Sequence, residues 1–305
     1  MILLKPRYPR KPRFEALRAA LAVVVAVLLL QGCSALQFSY NNAPTIARFM
    51  AGDYVDFNSA QAQEFKSRFG RFHDWHRHRE LPLYAGLMRA AAEKVERGIS
   101  SEDARWAIAA VRDHYRIASA QAAAEAASIL AALSPRQVAQ LEKALAEKNA
   151  KYEKEHLVGD AKDLRDKRIE QVEDHFGEWV GRLSKPQKQR IERFVADYGD
   201  MAVLRFADRQ RWQHEALAVI RSERDPALLA VSLQDLFAHP EKRRPQALQQ
   251  ALDRYDQAVA ELVIDIDRLL SPEQRAKAVK RMRKYADDFT QLAQPAEARG
   301  ADQPS

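Results

Sequence analysis

The chain has 305 residues, 47% of them hydrophobic and 30% charged, with a formal net charge of +7 and a single cysteine. That is apolar enough and long enough for a sizeable core, which excludes a disordered or low-complexity protein. One cysteine excludes an internal disulfide framework.

The first 32 residues have the layout of an export signal. Lys5, Arg7, Arg10, Lys11, Arg13 and Arg18 form a basic start, and Ala19 to Leu30 is an unbroken apolar run of 12 residues. A membrane-spanning helix needs about 20. Leu30-Gln31-Gly32-Cys33 follows at once and resembles the lipobox of bacterial lipoproteins, with Gln31 a departure from the usual small or aliphatic residue. The resemblance implies cleavage after Gly32 and acylation of Cys33. By the sorting rule of such lipoproteins, Ser34 implies transfer to the outer membrane, facing the periplasm. Membrane lipid is then the first partner. Without residues 1–32 the chain carries 43 basic and 41 acidic residues, a net of +2. The precursor's basicity is therefore a targeting feature, and no nucleic-acid partner is expected.

From residue 33 to 293 the pattern predicts an all-α domain, an elongated multi-helix bundle, in one body or two helical subdomains. Glycine is scarce and no run alternates as a strand would. Helices are expected near 59–79, 82–97, 101–132, 135–158, 160–182, 187–222, 226–238, 246–269 and 272–292. Pro82 starts its helix or kinks a longer one. Three apolar stripes are expected to face a core. They are Ile108-Val111-Tyr115-Ala118-Ala122, then Leu157-Ala161-Leu164-Val172-Phe176-Trp179-Leu183, then Leu248-Leu252-Tyr255-Val259-Leu262-Ile266-Leu269. The charge-rich stretch 151–175, with pairs such as Asp163 and Lys167, reads as a solvated helix face. Residues 239–245 read as a loop, and 294–305 as a disordered tail.

A weak repeat marks helix starts. Leu133-Ser134-Pro135-Arg136-Gln137, Leu183-Ser184-Lys185-Pro186-Gln187 and Leu270-Ser271-Pro272-Glu273-Gln274 share Leu-Ser and a Gln three residues on, with Phe57-Asn58-Ser59-Ala60-Gln61 a degenerate fourth. This is the pattern of a capping box. The serine accepts from the backbone of the glutamine, and the glutamine reaches back to the serine N–H. Capping alone accounts for most of it.

The densest polar cluster is His73-Asp74-Trp75-His76-Arg77-His78-Arg79-Glu80. On a helix His73, His76 and Glu80 share a face, a spacing that could present metal ligands. Arg77 and Arg79 oppose a cation, and no second ligand pair stands nearby. The simpler reading is a packed Trp75 with ion pairs from Arg77 or His76 to Glu80. His114, His156, His175, His214 and His239 stand isolated. No G-x-S-x-G, phosphate loop or free catalytic cysteine is present. The expectation is therefore no catalytic residue, no metal, no cofactor and no enzyme.

Tyr40-Asn41-Asn42, then Asp53-Tyr54-Val55-Asp56-Phe57 and Gln61, then Trp75-His76-Arg77 with Glu80-Leu81-Pro82 and Tyr84-Ala85, form a longer pattern. It resembles an uncharacterised proteobacterial lipoprotein family known as a domain of unknown function. The resemblance is most specific over residues 38–88. It implies no activity, and Tyr40, Asn41, Asn42, Asp53, Tyr54, Asp56, Trp75, His76, Arg77, Glu80 and Pro82 serve structure or function. A looser resemblance, confined to the helix starts, is to periplasmic chaperones of the Spy/CpxP type with their Leu-Thr-x-x-Gln starts. The expected function is a membrane-anchored, non-catalytic module that binds envelope proteins or unfolded chains. A metal protein or enzyme centred on His73, His76 and Glu80 is the alternative. The sequence leaves the oligomeric state open.

Overall fold

The computed structural model describes residues 35–294. Gly32, Cys33 and the chain beyond 294 lie outside the described residues. Every regular element among the described residues is helical. The chain divides at Asn42 into two units. The described part of the first is α1 (Ala35–Asn41), closed by Asn42, whose amide donates to the Phe38 carbonyl at 2.8 Å.

The second unit runs through α2 (Ala43–Gly52), α3 (Ser59–Trp75), a π-turn (His76–Glu80), α4 (Leu81–Arg97) and α5 (Ser101–Ala131). It continues with α6 (Pro135–His156), α7 (Ala161–Val180), α8 (Lys185–Tyr198), α9 (Met201–Ser222) and α10 (Pro226–Ala238). A 3₁₀ turn (Pro240–Arg243), α11 (Gln246–Arg268) and α12 (Pro272–Ala293) complete it. No helix among the described residues is long and apolar enough to cross a membrane.

Local chemistry sets most of the boundaries. Asn58, Ser100, Ser134 and Ser271 begin α3, α5, α6 and α12 with reciprocal capping boxes. Asp160 and Asp225 cap α7 and α10 through their carboxylates. Gly98 and Gly181, at φ +93° and +86°, terminate α4 and α7 in backbone that a side chain would strain.

At Pro82 the longer, distorted helix is the alternative that forms, and at Gly199 one expectation is corrected. Instead of two separate helices, α3 runs into α4 through the π-turn, where the Leu81 N–H bonds to the His76 carbonyl. Pro82 lacks the N–H that would reach His78 and crowds that carbonyl, so the helix widens just before it. Residues 187–222 form α8 and α9, broken at Gly199-Asp200. A Cβ at Gly199 would lie 3.1 Å from the Val195 carbonyl oxygen and 3.4 Å from the Arg168 guanidinium, a tight fit that a side chain meets only if a neighbour shifts slightly.

Two main cores form. In the first, Ala92 and Val95 of α4 meet Ile191, Phe194 and Val195 of α8, Leu262 and Ile266 of α11, and Ala278 and Val279 of α12. In the second, Ala123 and Ala127 of α5 meet Val55, Leu133, Val138, Leu217 and Ile220, with Leu229 and Leu233 of α10. Alanines at 123 and 127 let α10 lie close along α5. A smaller cluster of Ala104, Ala260 and Ile264 joins the start of α5 to α11.

The stripes fare unequally. Tyr255, Val259, Leu262 and Ile266 enter the first core, while Leu269 is exposed. Val172, Phe176, Trp179 and Leu183 also enter it, while Ala161 is exposed. The α5 stripe does not face a core in its middle, since Val111 is 70% and Tyr115 63% exposed. Its two ends serve different partners, and the helix turns its central apolar residues outward between them. In the charged stretch Lys162 pairs with Asp166 at 2.6 Å and Lys151 with Glu155 at 3.9 Å.

Candidate functional site

The four Leu-Ser-type helix starts are more than caps. They meet in two pairs. Gln61 donates to the Ala132 carbonyl at 3.1 Å, and Gln137 to the Asp56 carbonyl at 2.8 Å. The two amides also bond to each other, at 3.1 and 2.6 Å. Gln187 donates to the Leu269 carbonyl at 3.1 Å, and Gln274 to the Arg182 carbonyl at 2.8 Å. Their amides likewise exchange bonds, at 2.9 and 3.1 Å. Each glutamine therefore serves the carbonyl two residues before its partner's cap, the same reciprocal contact twice over. The Gln187 side chain is wholly buried, and its oxygen takes the Ser184 N–H at 2.8 Å.

The 53–57 segment clamps α6. Asp53 accepts from Lys148 at 3.1 Å, and the same ammonium lies 4.7 Å from the Tyr54 ring centre. Asp56 accepts from Gln140 at 2.9 Å, and Val55 is buried in the second core. Tyr40 and Asn41 close α1 in the first unit, and Asn42 follows it.

The π-turn carries the second polar centre. Glu80 is 3% exposed, and its carboxylate meets His114 Nδ1 of α5 at 2.7 Å. Tyr84 stands over the pair. Its ring lies 5.2 Å edge-on from His114, 5.5 Å from His76 and 5.9 Å from Phe289. Burial, reinforced by the negative Glu80, pushes the Tyr84 hydroxyl up to about 12. Burial also lowers the pKa of His76, against the opposing pull of Glu80 and with a smaller push from His73. His76 is thus neutral in the fold near pH 7.

Expected partners are redistributed here. Arg77 donates to the Leu292 carbonyl at 2.8 Å, tying the π-turn to the last turn of α12. Trp75 is half-buried, 5.9 Å from Phe72 in a run of rings continuing through Phe69 and Phe65 to Phe57. His73 stacks on Phe69 at 6.2 Å. Pro82 occupies the first turn of α4 and is exposed. The geometry brings His76, Glu80 and Tyr84 together with His114, which sequence reasoning had set aside because its partner lies 34 residues away. Among the described residues no group of three His, Cys, Asp or Glu side chains is placed to hold a metal ion. Chemically the pair is a buried hydrogen-bonded pin between the π-turn and α5.

An apolar cleft of about 320 Å³ opens among α4, α7, α11 and α12. Val95, Phe176, Trp179, Ile266 and Met282 line it, with exposed His175 at its rim. The volume lies at the lower end of the range for ligand pockets. The sequence placed Phe176, Trp179 and Ile266 on core stripes, without the gap that side-chain packing leaves between them.

These features define an all-α, multi-helix domain with glutamine-linked helix starts, a buried Glu–His pin and an apolar cleft. The chain belongs to the family of unknown function DUF6279, whose model matches residues 53–249. That span includes the 53–57 clamp, the π-turn and three of the four capped starts, and excludes Tyr40, Asn41 and Asn42. No curated protein and no solved structure matches the chain.

Proposed function

We propose that the chain is a lipoprotein whose helical domain is a non-catalytic module binding envelope proteins or unfolded chains. Acylated Cys33 would hold it on the periplasmic face of the outer membrane. The observation that carries the binding reading is the apolar cleft. Trp179 and Met282 offer an aromatic face and a flexible thioether, a combination that accommodates varied apolar side chains. The lipobox-like Leu30-Gln31-Gly32-Cys33 after a short apolar run carries the anchor. A photo-crosslinking residue at Met282 in intact cells tests the first part, with one at exposed Lys143 of α6 as control. Protein partners trapped from position 282, and lost when Trp179→Glu is added, are the expected result. Equal yields from both positions would remove the reading. Clickable palmitate tests the anchor: wild type takes label and Cys33→Ala does not.

A further inference from the structure

α2 is built inside out. Ala43, Ala47 and Ala51 share the half-buried side, whereas Ile46, Phe49 and Met50 share another face by their i, i+3, i+4 spacing. These three large side chains are 45%, 79% and 56% exposed. A helix lying on a globular domain ordinarily does the reverse, burying its large apolar residues. The surrounding sequence is equally unusual for so charged a chain. From Ser34 to Gly52 there is no acidic residue and one basic residue, Arg48. Thr45 flanks the apolar face and Arg48 stands on the far side of the helix from it, and both are exposed.

We infer that this face of α2 rests on the surface of the lipid bilayer. The inference depends on the acylated Cys33 of the proposed function. Ten positions separate Cys33 from Ala43, a reach of at most about 35 Å even when fully extended. α2 is therefore confined near the headgroups. Ile46, Phe49 and Met50 enter the boundary between headgroups and acyl chains, as in interfacial amphipathic helices. The lack of acidic side chains from Ser34 to Gly52 removes repulsion from anionic headgroups. Acyl chains anchor the polypeptide, and α2 is a second attachment that sets how the domain stands on the membrane.

The test uses the full lipidated chain reconstituted into phosphatidylethanolamine–phosphatidylglycerol vesicles. Phe49→Cys is labelled with an environment-sensitive fluorophore, and Lys143→Cys on α6 is the control. If Cys33 is acylated on sulfur, each variant takes one dye per chain. The expected result is a blue shift and strong quenching by brominated acyl chains at position 49, with neither at 143. Adding Ile46→Ser and Met50→Ser to Phe49→Cys should abolish most of that quenching while palmitate label is retained. Two dyes per chain would overturn the anchor, and this inference with it. One dye per chain with an unquenched label at 49 would overturn the inference alone. So would a shift that follows protein concentration rather than lipid, which would mark a second copy of the chain as the occupant.

Discussion

Gln187→Ala should be far more damaging than the loss of an ordinary cap. Its side chain is wholly buried and takes part in four hydrogen bonds: with the Ser184 N–H, the Leu269 carbonyl, and the Gln274 amide in both directions. A typical buried hydrogen bond contributes about 1 kcal/mol net, and removing one partner also leaves the other unsatisfied. Ser184 and Leu269 are exposed residues, so water can replace part of what their backbone groups lose. The Gln274 amide loses both bonds to its partner. We therefore expect a loss of about 3 kcal/mol, against about 1 kcal/mol for Ser134→Ala or Ser271→Ala. Because the two amides exchange two bonds, Gln187→Ala and Gln274→Ala should couple by about 1–2 kcal/mol in a double-mutant cycle. Urea denaturation followed by circular dichroism at 222 nm gives all four corners of the cycle. If Gln187→Ala costs no more than Ser134→Ala, or if the two substitutions add within about 0.5 kcal/mol, the paired amides do not hold the two helix starts together.

Protonation of His76 should destabilise the fold. Its folded pKa lies below the ordinary histidine value because it is buried, so the unfolded chain binds more protons as pH falls through that range. The contribution is intact above about 6.5 and lost below it, and His76→Gln should flatten the urea midpoint against pH between neutral and about 5. A second loss should come in stronger acid. Lys94 and Ser100 hold the Asp103 carboxyl well below the usual carboxylate range, so its contribution is present above about 4 and disappears as pH falls through the depressed value. Asp103→Asn should remove that second loss. For the polar cluster, we expect a chelator to leave the thermal midpoint unchanged and elemental analysis to find no stoichiometric metal. One equivalent of zinc, lost on mutating His73 or His76, would revive the metal reading through mass-action stabilisation of the folded state.

Helix class and helix starts were legible because they are local. Ser134 with Gln137 and Ser271 with Gln274 are three residues apart, and their signal survives without any knowledge of the fold. What the glutamines do with their remaining amide groups was not legible, because Gln61 meets Gln137 across 76 residues and Gln187 meets Gln274 across 87. Glu80 shows the same limit. Nearby Arg77 and His76 were the natural local partners, yet the π-turn aims the carboxylate at His114, and Arg77 goes to α12. Periodicity also failed on α5 for a stated reason. It identifies an apolar face without saying whether anything covers it, and Val111 and Tyr115 lie uncovered between the two ends that pack.

The clamp at 53–57, the paired glutamines and the Glu80–His114 pin share one physical logic. In each, a polar side chain near a helix start or turn bonds to a group distant in sequence and fixes how two elements meet. A buried polar group is costly unless it is fully bonded, so the contacts of buried Gln61, Glu80 and Gln187 specify one arrangement more sharply than apolar packing does, while exposed Asp53 and Asp56 add to the clamp from the surface. It also means that these polar residues are already engaged within the fold. Asp53, Asp56, Glu80, His114 and the four glutamines are all taken up in that way. Among the surfaces left uncovered are apolar ones: the cleft beside Trp179 and Met282, the outward face of α2, and Val111 with Tyr115 on α5. The attraction of apolar surfaces is non-directional and scales with area removed from water. It suits docking of protein segments and contact with lipid better than bond-making chemistry, and on that ground the proposed task is binding at a membrane surface.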